Sequence, residues 1–195
     1  GSEMCIRDSD IAIDAHKDQY RKSGEPYIFH PISVAKIVAE KIGLDAHSIA
    51  SALLHDVVED SEYNIEKIKS VFGEKIAKIV EGLTKISKLK KDKILSFQSE
   101  NFRKMLLTLN DDVRVILIKI ADRLHNMRTM DSMSHEKQIK ISSETLYIYA
   151  PIAHRIGLYE IKSELEDLSL KYTDSDTYNK IKDSLEKTKD DQNLF

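Results

Sequence analysis

The apolar positions along the chain follow the helical period in almost every segment. They recur three and four residues apart, which places them on one face of an α-helix. Glycines interrupt the pattern at Gly43, Gly73 and Gly157, as expected at helix C-termini. The predicted helices cover residues 9–20, 32–42, a stretch that opens at residue 45, 64–72, 74–83, 99–109, 113–128, 136–156 with a bend near Pro151, 158–172 and 176–189. The predicted fold is therefore all-α, a bundle of about nine or ten helices.

Residues 113–120 are the ambiguous segment, because their β-branched run has the propensity of a buried strand. No second strand is predicted with which it could pair, and an unpaired strand would leave its backbone groups unsatisfied. We therefore predict a buried helix that continues to about residue 128. Asp122, Asn126 and Thr129 then lie on adjoining parts of one helix face.

Two segments have no clear apolar period. Residues 84–97 are rich in lysine and are predicted to form a mobile connection with some helical character. Their lysines either face solvent or cover an anionic site. Residues 1–9 begin with Gly1-Ser2, a pair typical of a cloning scar, and are interpreted as a tag or non-native leader. The domain is therefore predicted over residues 10–195.

Composition and charge narrow the functional classes. With 195 residues, 41% apolar and 32% charged, the chain has the composition of a globular protein of one domain, or two. The net charge is −3 and no basic block is present, so no nucleic-acid partner is predicted. The single cysteine, Cys5, excludes an intramolecular disulfide and fits a reducing compartment. No apolar run approaches a membrane span and no signal peptide is visible, which predicts a cytoplasmic protein without a membrane partner.

The segment ALLHDVVED at residues 52–60 sets four polar side chains inside an apolar stretch. If the segment is helical, His55 and Glu59 share one face, and Asp56 and Asp60 share a face beside it. Four unpaired polar groups would be costly to desolvate, so a bound cation is the economical explanation. Histidine and carboxylate suit a divalent transition metal, and carboxylates one turn away could accept a proton from water. A lone His-Asp pair is common, so this interpretation depends on other segments.

Two upstream segments carry candidate chemistry. His30 precedes Pro31 at the start of a predicted helix, where it could be a ligand, a cap or a core histidine. Arg21 and Lys22 stand beside the turn residues Gly24 and Pro26. Taken alone, such a basic pair is more typical of a solvated loop than of a contact to a phosphate or a base.

His30, His55-Asp56 and Asp122 occur in that order on predicted helices, and this pattern resembles the HD superfamily of metal-dependent phosphohydrolases. The match is closer to one branch, the RelA/SpoT-homologue hydrolase domain, and it covers essentially residues 10–175. The segments that carry it are RKSGEPYIFHP at 21–31, ALLHDVVED at 52–60, IKIADRLHNMRT at 118–129 and ETLYIYAPIAHRIG at 144–157.

The resemblance implies an HD-domain helical bundle that removes the 3′-diphosphate of the alarmones ppGpp and pppGpp, giving GDP or GTP and pyrophosphate and ending stringent-response signalling. It also implies one Mn²⁺ ion. The implied metal ligands are His30, His55, Asp56 and Asp122.

The same resemblance implies roles for the residues around the metal. Glu59 and Asp60 match the acidic pair that activates and orients the attacking water, and either could be the base. The implied substrate-binding residues are Arg21, against the guanine, Lys22, Ser23, Asn126, Thr129 and Tyr147. This changes the interpretation of Arg21 and Lys22 from surface to site. His125 is expected to have a supporting or structural role and not to bind the metal.

Several alternatives stay open at this stage. The substrate could be another nucleotide, such as NADPH or an adenine alarmone, or the domain could be a non-catalytic nucleotide sensor with a structural metal. The chain could be a stand-alone hydrolase or an excised domain of a longer synthetase and hydrolase. The preference between ppGpp and pppGpp and the oligomeric state are equally open.

Overall fold

The computed structural model describes residues 2–91 and 112–192, which cluster into two compact units divided between His125 and Asn126. Those residues contain no β-strand, and their only bridge pairs Tyr20 with Pro26. The all-α prediction is therefore confirmed. The helix predicted over residues 99–109 lies outside the described residues. The interpretation of residues 1–9 as a tag or leader stays a prediction.

The first unit is built from a series of mostly short helices. They are α1 (Ser2–His16), α2 (Phe29–Lys36) with a π-helical continuation (Ile37–Ile42), α3 (Ala46–Leu53), α4 (Val57–Asp60), α5 (Ile65–Phe72), α6 (Glu74–Lys91) and α7 (Val113–Arg128), whose last turn enters the second unit.

Several helix ends follow from local sequence signals. The Asp45 side chain caps α3 by accepting a 3.0 Å hydrogen bond from the Ser48 N–H, and Asn64 caps α5 by accepting one of 2.9 Å from Lys67. Gly43 ends the π-helical continuation with φ of 77°, in the left-handed region that glycine enters without steric cost. These starts and stops agree with the sequence predictions.

Other helix bounds correct the predictions. The first helix was predicted over residues 9–20, but α1 begins at Ser2, contains Ser9 and ends at His16. The second helix begins at Phe29, earlier than predicted, so His30 lies inside its first turn. Helix α6 continues to Lys91, beyond its predicted end at Leu83 and into the segment predicted as a mobile connection with some helical character. The buried side chains of Leu83 and Ile86, three residues apart, continue the apolar face of α6 beyond its predicted end.

The central segment is not one continuous helix. Helix α3 ends at Leu53, and α4 begins at Val57 after a tight turn closed by the Val57 N–H on the Leu54 carbonyl. The His55 ring contributes to this break, because its Nδ1 hydrogen bonds the Ala52 carbonyl at 2.7 Å and so competes with the helix backbone. The expectation that His55 and Glu59 share one face of an unbroken helix was therefore wrong.

One apolar cluster of the first unit joins helices α1, α3, α4, α5 and α6. Its buried members are Ala12, Ala50, Leu54, Val57, Ile68, Ile76, Ala77 and Val80. The β-branched segment of α7 is also buried, and it is helical as predicted. Helices α6 and α7 approach closely at Gly82, where a Cβ would lie 2.9 Å from a Val115 methyl carbon.

The second unit contains a 3₁₀ turn (Met130–Ser132), α8 (His135–Glu144), a π-helical segment (Thr145–Tyr149), α9 (Ala150–Arg155), α10 (Tyr159–Thr173) and α11 (Ser175–Gln192). The predicted 136–156 helix is interrupted by the π-helical segment, and Pro151 lies in the first turn of α9, where its missing N–H costs little. Helix α10 packs against α8, α9 and α11. Across residues 2–91 and 112–192, no helix combines the length and apolar character that a membrane crossing requires.

Candidate metal centre

Four side chains of the predicted ligand set meet inside the first unit. Donor atoms of His30, His55 and Asp56 lie within 4.8 Å of one another. Asp122 adds a carboxylate oxygen, because its Oδ1 lies 3.2 Å from His30 Nε2 and 3.8 Å from His55 Nε2. Both histidines are buried at 2% exposure or less, and both aspartates are mostly buried. The cluster is thus a compact set of two imidazoles and two carboxylates.

The hydrogen bonds of the His55 ring define its proton position. Its Nδ1 lies 2.7 Å from the Ala52 carbonyl oxygen, which can only accept, so Nδ1 carries the proton. In the neutral ring, Nε2 then carries the lone pair and faces Asp56 and Asp122. This buried nitrogen has no hydrogen-bond partner among the described residues, although Asp56 Oδ2 lies 3.0 Å away. A buried lone pair beside two carboxylates fits a divalent cation.

His125 orients the His30 ring, as the Ala52 carbonyl orients the His55 ring. The Nδ1 atoms of His30 and His125 lie 2.7 Å apart, and Arg21 Nη1 lies 3.2 Å from the same atom of His125. A guanidinium can only donate, so His125 Nδ1 accepts and His30 Nδ1 donates. His30 Nε2 is therefore left with its lone pair towards Asp56 and Asp122. Histidine ligands commonly use this kind of support on the nitrogen that does not bind the metal.

Two neighbours hold the carboxylates. The Tyr27 hydroxyl donates a 2.6 Å hydrogen bond to Asp56 Oδ2, and the Lys119 ammonium lies 3.0 Å from Asp122 Oδ2. Burial alone would raise the pKa of Asp122, but Lys119 and the histidines outweigh it and hold that pKa well below its usual range. Burial is likewise outweighed at Asp56, where His55 keeps the carboxyl pKa low. Both carboxylates are thus ionised at neutral pH.

The pKa values of the two buried histidines shift in opposite directions. Burial lowers the pKa of His55, but the Asp56 and Asp122 carboxylates outweigh burial and raise it to about 9. Burial lowers the pKa of His30, where the same carboxylates compensate only in part. The electrostatic field that favours a proton on His55 favours a cation between the side chains for the same reason.

The predicted acidic pair and basic turn lie on adjoining segments of the first unit. Glu59 is half-buried and Asp60 is exposed, both on α4 directly after the His55-Asp56 turn. Arg21 is half-buried, with its guanidinium on His125, while Lys22 and Ser23 are exposed in the turn that follows.

The remaining predicted pocket residues belong to the second unit. Asn126 and Thr129 are half-buried, and Tyr147 is exposed at 66%. Their roles in substrate binding stay predictions.

Sequence reasoning missed Tyr27 and Lys119. Lys119 precedes Asp122 by three residues, a spacing that brings side chains together on a helix, so its contact had a local signal. Tyr27 stands before α2 in an irregular segment, where no periodicity links it to Asp56. His125 contacts His30 and Arg21, and its supporting role stays a prediction.

Comparison with known proteins identifies the family. A family model described as an HD domain matches residues 9–159, which is most of the chain. The chain belongs to the HD-domain family.

Similar proteins refine that assignment. The chain is 51% identical over 172 residues to the guanosine-3′,5′-bis(diphosphate) 3′-pyrophosphohydrolase of Haemophilus influenzae, covering 88% of this chain and 25% of that protein. It is 48% identical over 173 residues to the bifunctional (p)ppGpp synthase/hydrolase SpoT of Escherichia coli K12, covering 89% of this chain and 24% of that protein. The chain thus spans about a quarter of the length of these curated relatives.

A solved structure agrees with this picture. It is described as a metazoan ortholog of SpoT that hydrolyzes ppGpp, and it matches with a TM-score of 0.63 and 26% identity over 87% of this chain and 93% of that one. The resemblance to the RelA/SpoT-homologue hydrolase domain is therefore confirmed. An HD domain implies a divalent metal, and the His30, His55 and Asp56 cluster could hold one.

Proposed function

We propose that this HD domain hydrolyses the 3′-diphosphate of ppGpp and pppGpp, releasing pyrophosphate and GDP or GTP, with one Mn²⁺ ion as cofactor. The observation that carries the proposal is the buried cluster of His30, His55, Asp56 and Asp122, in which both histidines turn a lone pair inward. It occurs in a chain about half identical to proteins named for this reaction. The cytoplasm is the proposed location, which rests on the lone cysteine and the nature of the substrate.

The proposed metal ligands are His30 Nε2, His55 Nε2, one Asp56 oxygen and Asp122 Oδ1. Two neutral imidazoles and two carboxylates would neutralise a divalent charge; the imidazoles suit a transition metal, and the carboxylate oxygens suit Mn²⁺ among other ions. A divalent ion supplies Lewis acidity there, polarising a phosphoryl oxygen and making water easier to deprotonate.

Glu59 and Asp60 are the proposed proton acceptors. They lie on α4, directly after His55 and Asp56, and one of them is proposed to accept the proton of a water molecule held near the ligands. The backbone carbonyl of Asp60 accepts a 2.7 Å hydrogen bond from the Gln19 side chain, which ties this turn to the segment after α1. Water adds to the phosphorus that is bonded to the 3′-oxygen. The bond between this phosphorus and the 3′-oxygen breaks, and the 3′-oxygen leaves with a proton.

Positive charge for the polyanionic substrate has to be local, because the whole chain carries −3. Arg21 is proposed to stack on the guanine. Its guanidinium contacts His125, which in turn contacts the proposed ligand His30. Lys22 and Ser23 are exposed beside it and are proposed to contact phosphate oxygens. Asn126, Thr129 and Tyr147 of the second unit are proposed as further substrate-binding residues.

The test is a product analysis with purified protein that has been stripped of metal and reloaded with Mn²⁺. The substrates are ppGpp, pppGpp, ppApp and NADPH, and the products are resolved by anion-exchange chromatography. The proposal expects pyrophosphate in equal amount to GDP or GTP, one bound Mn²⁺ per chain and no turnover after chelation. Faster turnover of ppApp or NADPH would reassign the substrate. Tight ppGpp binding without turnover would indicate a nucleotide sensor.

A further inference from the structure

Lys119 is a buried cation beside the candidate metal centre. It lies on α7 at 6% exposure, one helical turn before Asp122. Its ammonium is 3.0 Å from Asp122 Oδ2 and 3.0 Å from the Ser87 hydroxyl of α6. Burying an ammonium is costly unless it is paired and hydrogen-bonded, and here both conditions are met.

The two oxygens of Asp122 face different partners. Oδ1 points to the Nε2 atoms of His30 and His55, at 3.2 and 3.8 Å, whereas Oδ2 points to Lys119. A carboxylate that were held only by the histidines could rotate about its terminal torsion, because that torsion has a broad energy minimum. The ammonium on Oδ2 removes this freedom.

The position of Lys119 depends on the packing of α6 against α7. Gly82 lets the two helices approach closely at Val115, and Ser87 lies just over one turn beyond Gly82 on α6. Ser87 and Asp122 thereby hold the same ammonium from two helices. The lysine is thus fixed at both sides and is not a surface charge that happens to lie near the site.

We infer that Lys119 is a positioning residue for Asp122, holding Oδ2 so that Oδ1 alone is presented to the metal. Its positive charge also offsets one of the two buried carboxylates before any ion is bound. This inference rests on the metal site of the proposed function but not on the identity of the substrate.

The test measures binding of Mn²⁺ alone, without nucleotide, by isothermal titration calorimetry on metal-free protein. The variant is Lys119→Met, which keeps the length of the side chain and removes the charge. Supporting residues around metal ligands typically change metal affinity by about 10–100-fold, and we expect a loss in that range. Lys78→Met on α6 is the matched control, because that lysine is 71% exposed and should leave Mn²⁺ affinity unchanged.

A second readout separates positioning from a merely structural role. The shift in melting temperature on adding Mn²⁺ should shrink in Lys119→Met, since that shift follows the metal affinity. A variant that melts earlier without metal but binds Mn²⁺ as tightly as the parent would overturn the inference. If Lys119→Met does not fold, Lys119→Gln serves the same purpose, and unchanged affinity there would also overturn it.

Failure of this inference is distinguishable from failure of the proposed function. Parent protein that binds Mn²⁺ but does not cleave ppGpp would contradict the proposed function and leave the role of Lys119 intact. Parent protein that cleaves ppGpp, together with a Lys119→Met variant of unchanged Mn²⁺ affinity, would contradict only the role of Lys119.

Discussion

The Tyr27 hydroxyl donates a 2.6 Å hydrogen bond to Asp56 Oδ2, the oxygen that also faces His55 Nε2 at 3.0 Å. Burial and the charge of Asp56 raise the pKa of Tyr27, so the phenol stays protonated and remains a donor at any pH of interest. Tyr27 thus orients one carboxylate of the site as Lys119 orients the other. The two side chains approach from different segments, so each aspartate has its own support.

Tyr27→Phe should weaken Mn²⁺ binding by about tenfold, because the Asp56 carboxylate loses the donor that orients it. The loss of a hydrogen bond to a charged group should also lower the free energy of unfolding of the metal-free protein by about 1.5–3 kcal/mol. Calorimetric titration and chemical denaturation measure the two effects. Tyr63→Phe is the matched control, since the Tyr63 hydroxyl contacts the exposed Asp14 at 3.1 Å. Equal Mn²⁺ affinity in both variants would show that Tyr27 does not orient the ligand.

The metal-free protein should lose stability as the pH rises from about 6.5 to 9. His55 has a folded-state pKa raised to about 9 by Asp56 and Asp122 against the effect of burial, compared with about 6.5 in an unfolded chain. The protonated form therefore stabilises the fold fully below about pH 6.5, and that contribution disappears as the pH passes 9. Denaturation at a series of pH values measures it. Bound Mn²⁺ needs the neutral ring and should abolish this pH dependence; a loaded protein with the same profile would contradict the assignment of His55 as a ligand.

Asp60→Ala should keep the bound metal and abolish hydrolysis, because Asp60 is exposed on α4 outside the ligand cluster. Loss of a positioned proton acceptor typically reduces the rate by about 10²–10⁴-fold. Metal content by elemental analysis and kcat for ppGpp test the two halves of this prediction. Glu59→Gln, examined beside it, distinguishes which carboxylate is the base. Normal turnover in both variants would remove the acidic pair from the mechanism.

Arg21→Ala should raise KM for ppGpp by about tenfold or more while kcat changes little, since its proposed role is to bind the base. Arg21→Lys keeps the charge but loses the planar group, so it should resemble Arg21→Ala if stacking dominates. Steady-state kinetics measures both. Lys17→Ala is a nearby control, because Lys17 is exposed and pairs only with the surface residue Asp14 in the described contacts. A fall in kcat with unchanged KM would instead indicate that Arg21 acts through His125 on His30.

Local signals in the sequence account for much of the fold. Asp45 and Asn64 cap their helices, and Gly43 and Gly73 end them, because each feature depends on a few neighbouring residues. The break at residues 54–56 was not predictable in this way. It depends on the His55 ring bonding the Ala52 carbonyl and on burial of Leu54 and Val57 on both sides of the turn.

The candidate site also contains some residues that the sequence predicts and some contacts that only the packing of helices reveals. His30, His55-Asp56 and Asp122 were recognisable as a set because their order and neighbouring residues resemble a family. The contact of Lys119 with Ser87 joins positions 32 residues apart, and no sequence period connects them. The Ser87 contact of Lys119 is therefore a feature of packing, and it becomes visible only when helices α6 and α7 are placed together.

Gly82→Ala should destabilise the protein, although alanine is favoured over glycine in a helix by about 1 kcal/mol. The new Cβ would lie 2.9 Å from Val115 Cγ2, and a valine in a helix has almost no alternative rotamer with which to avoid it. Overpacking of this kind typically costs about 1–3 kcal/mol, so the net loss should be about 1 kcal/mol.

In a Val115→Ala background the clash is absent, and the same substitution at Gly82 should become stabilising. A double-mutant cycle by chemical denaturation measures this change of sign. If Gly82→Ala has the same effect in both backgrounds, the close approach of α6 and α7 does not constrain this position. The position of Lys119 beside Ser87 would then not depend on Gly82.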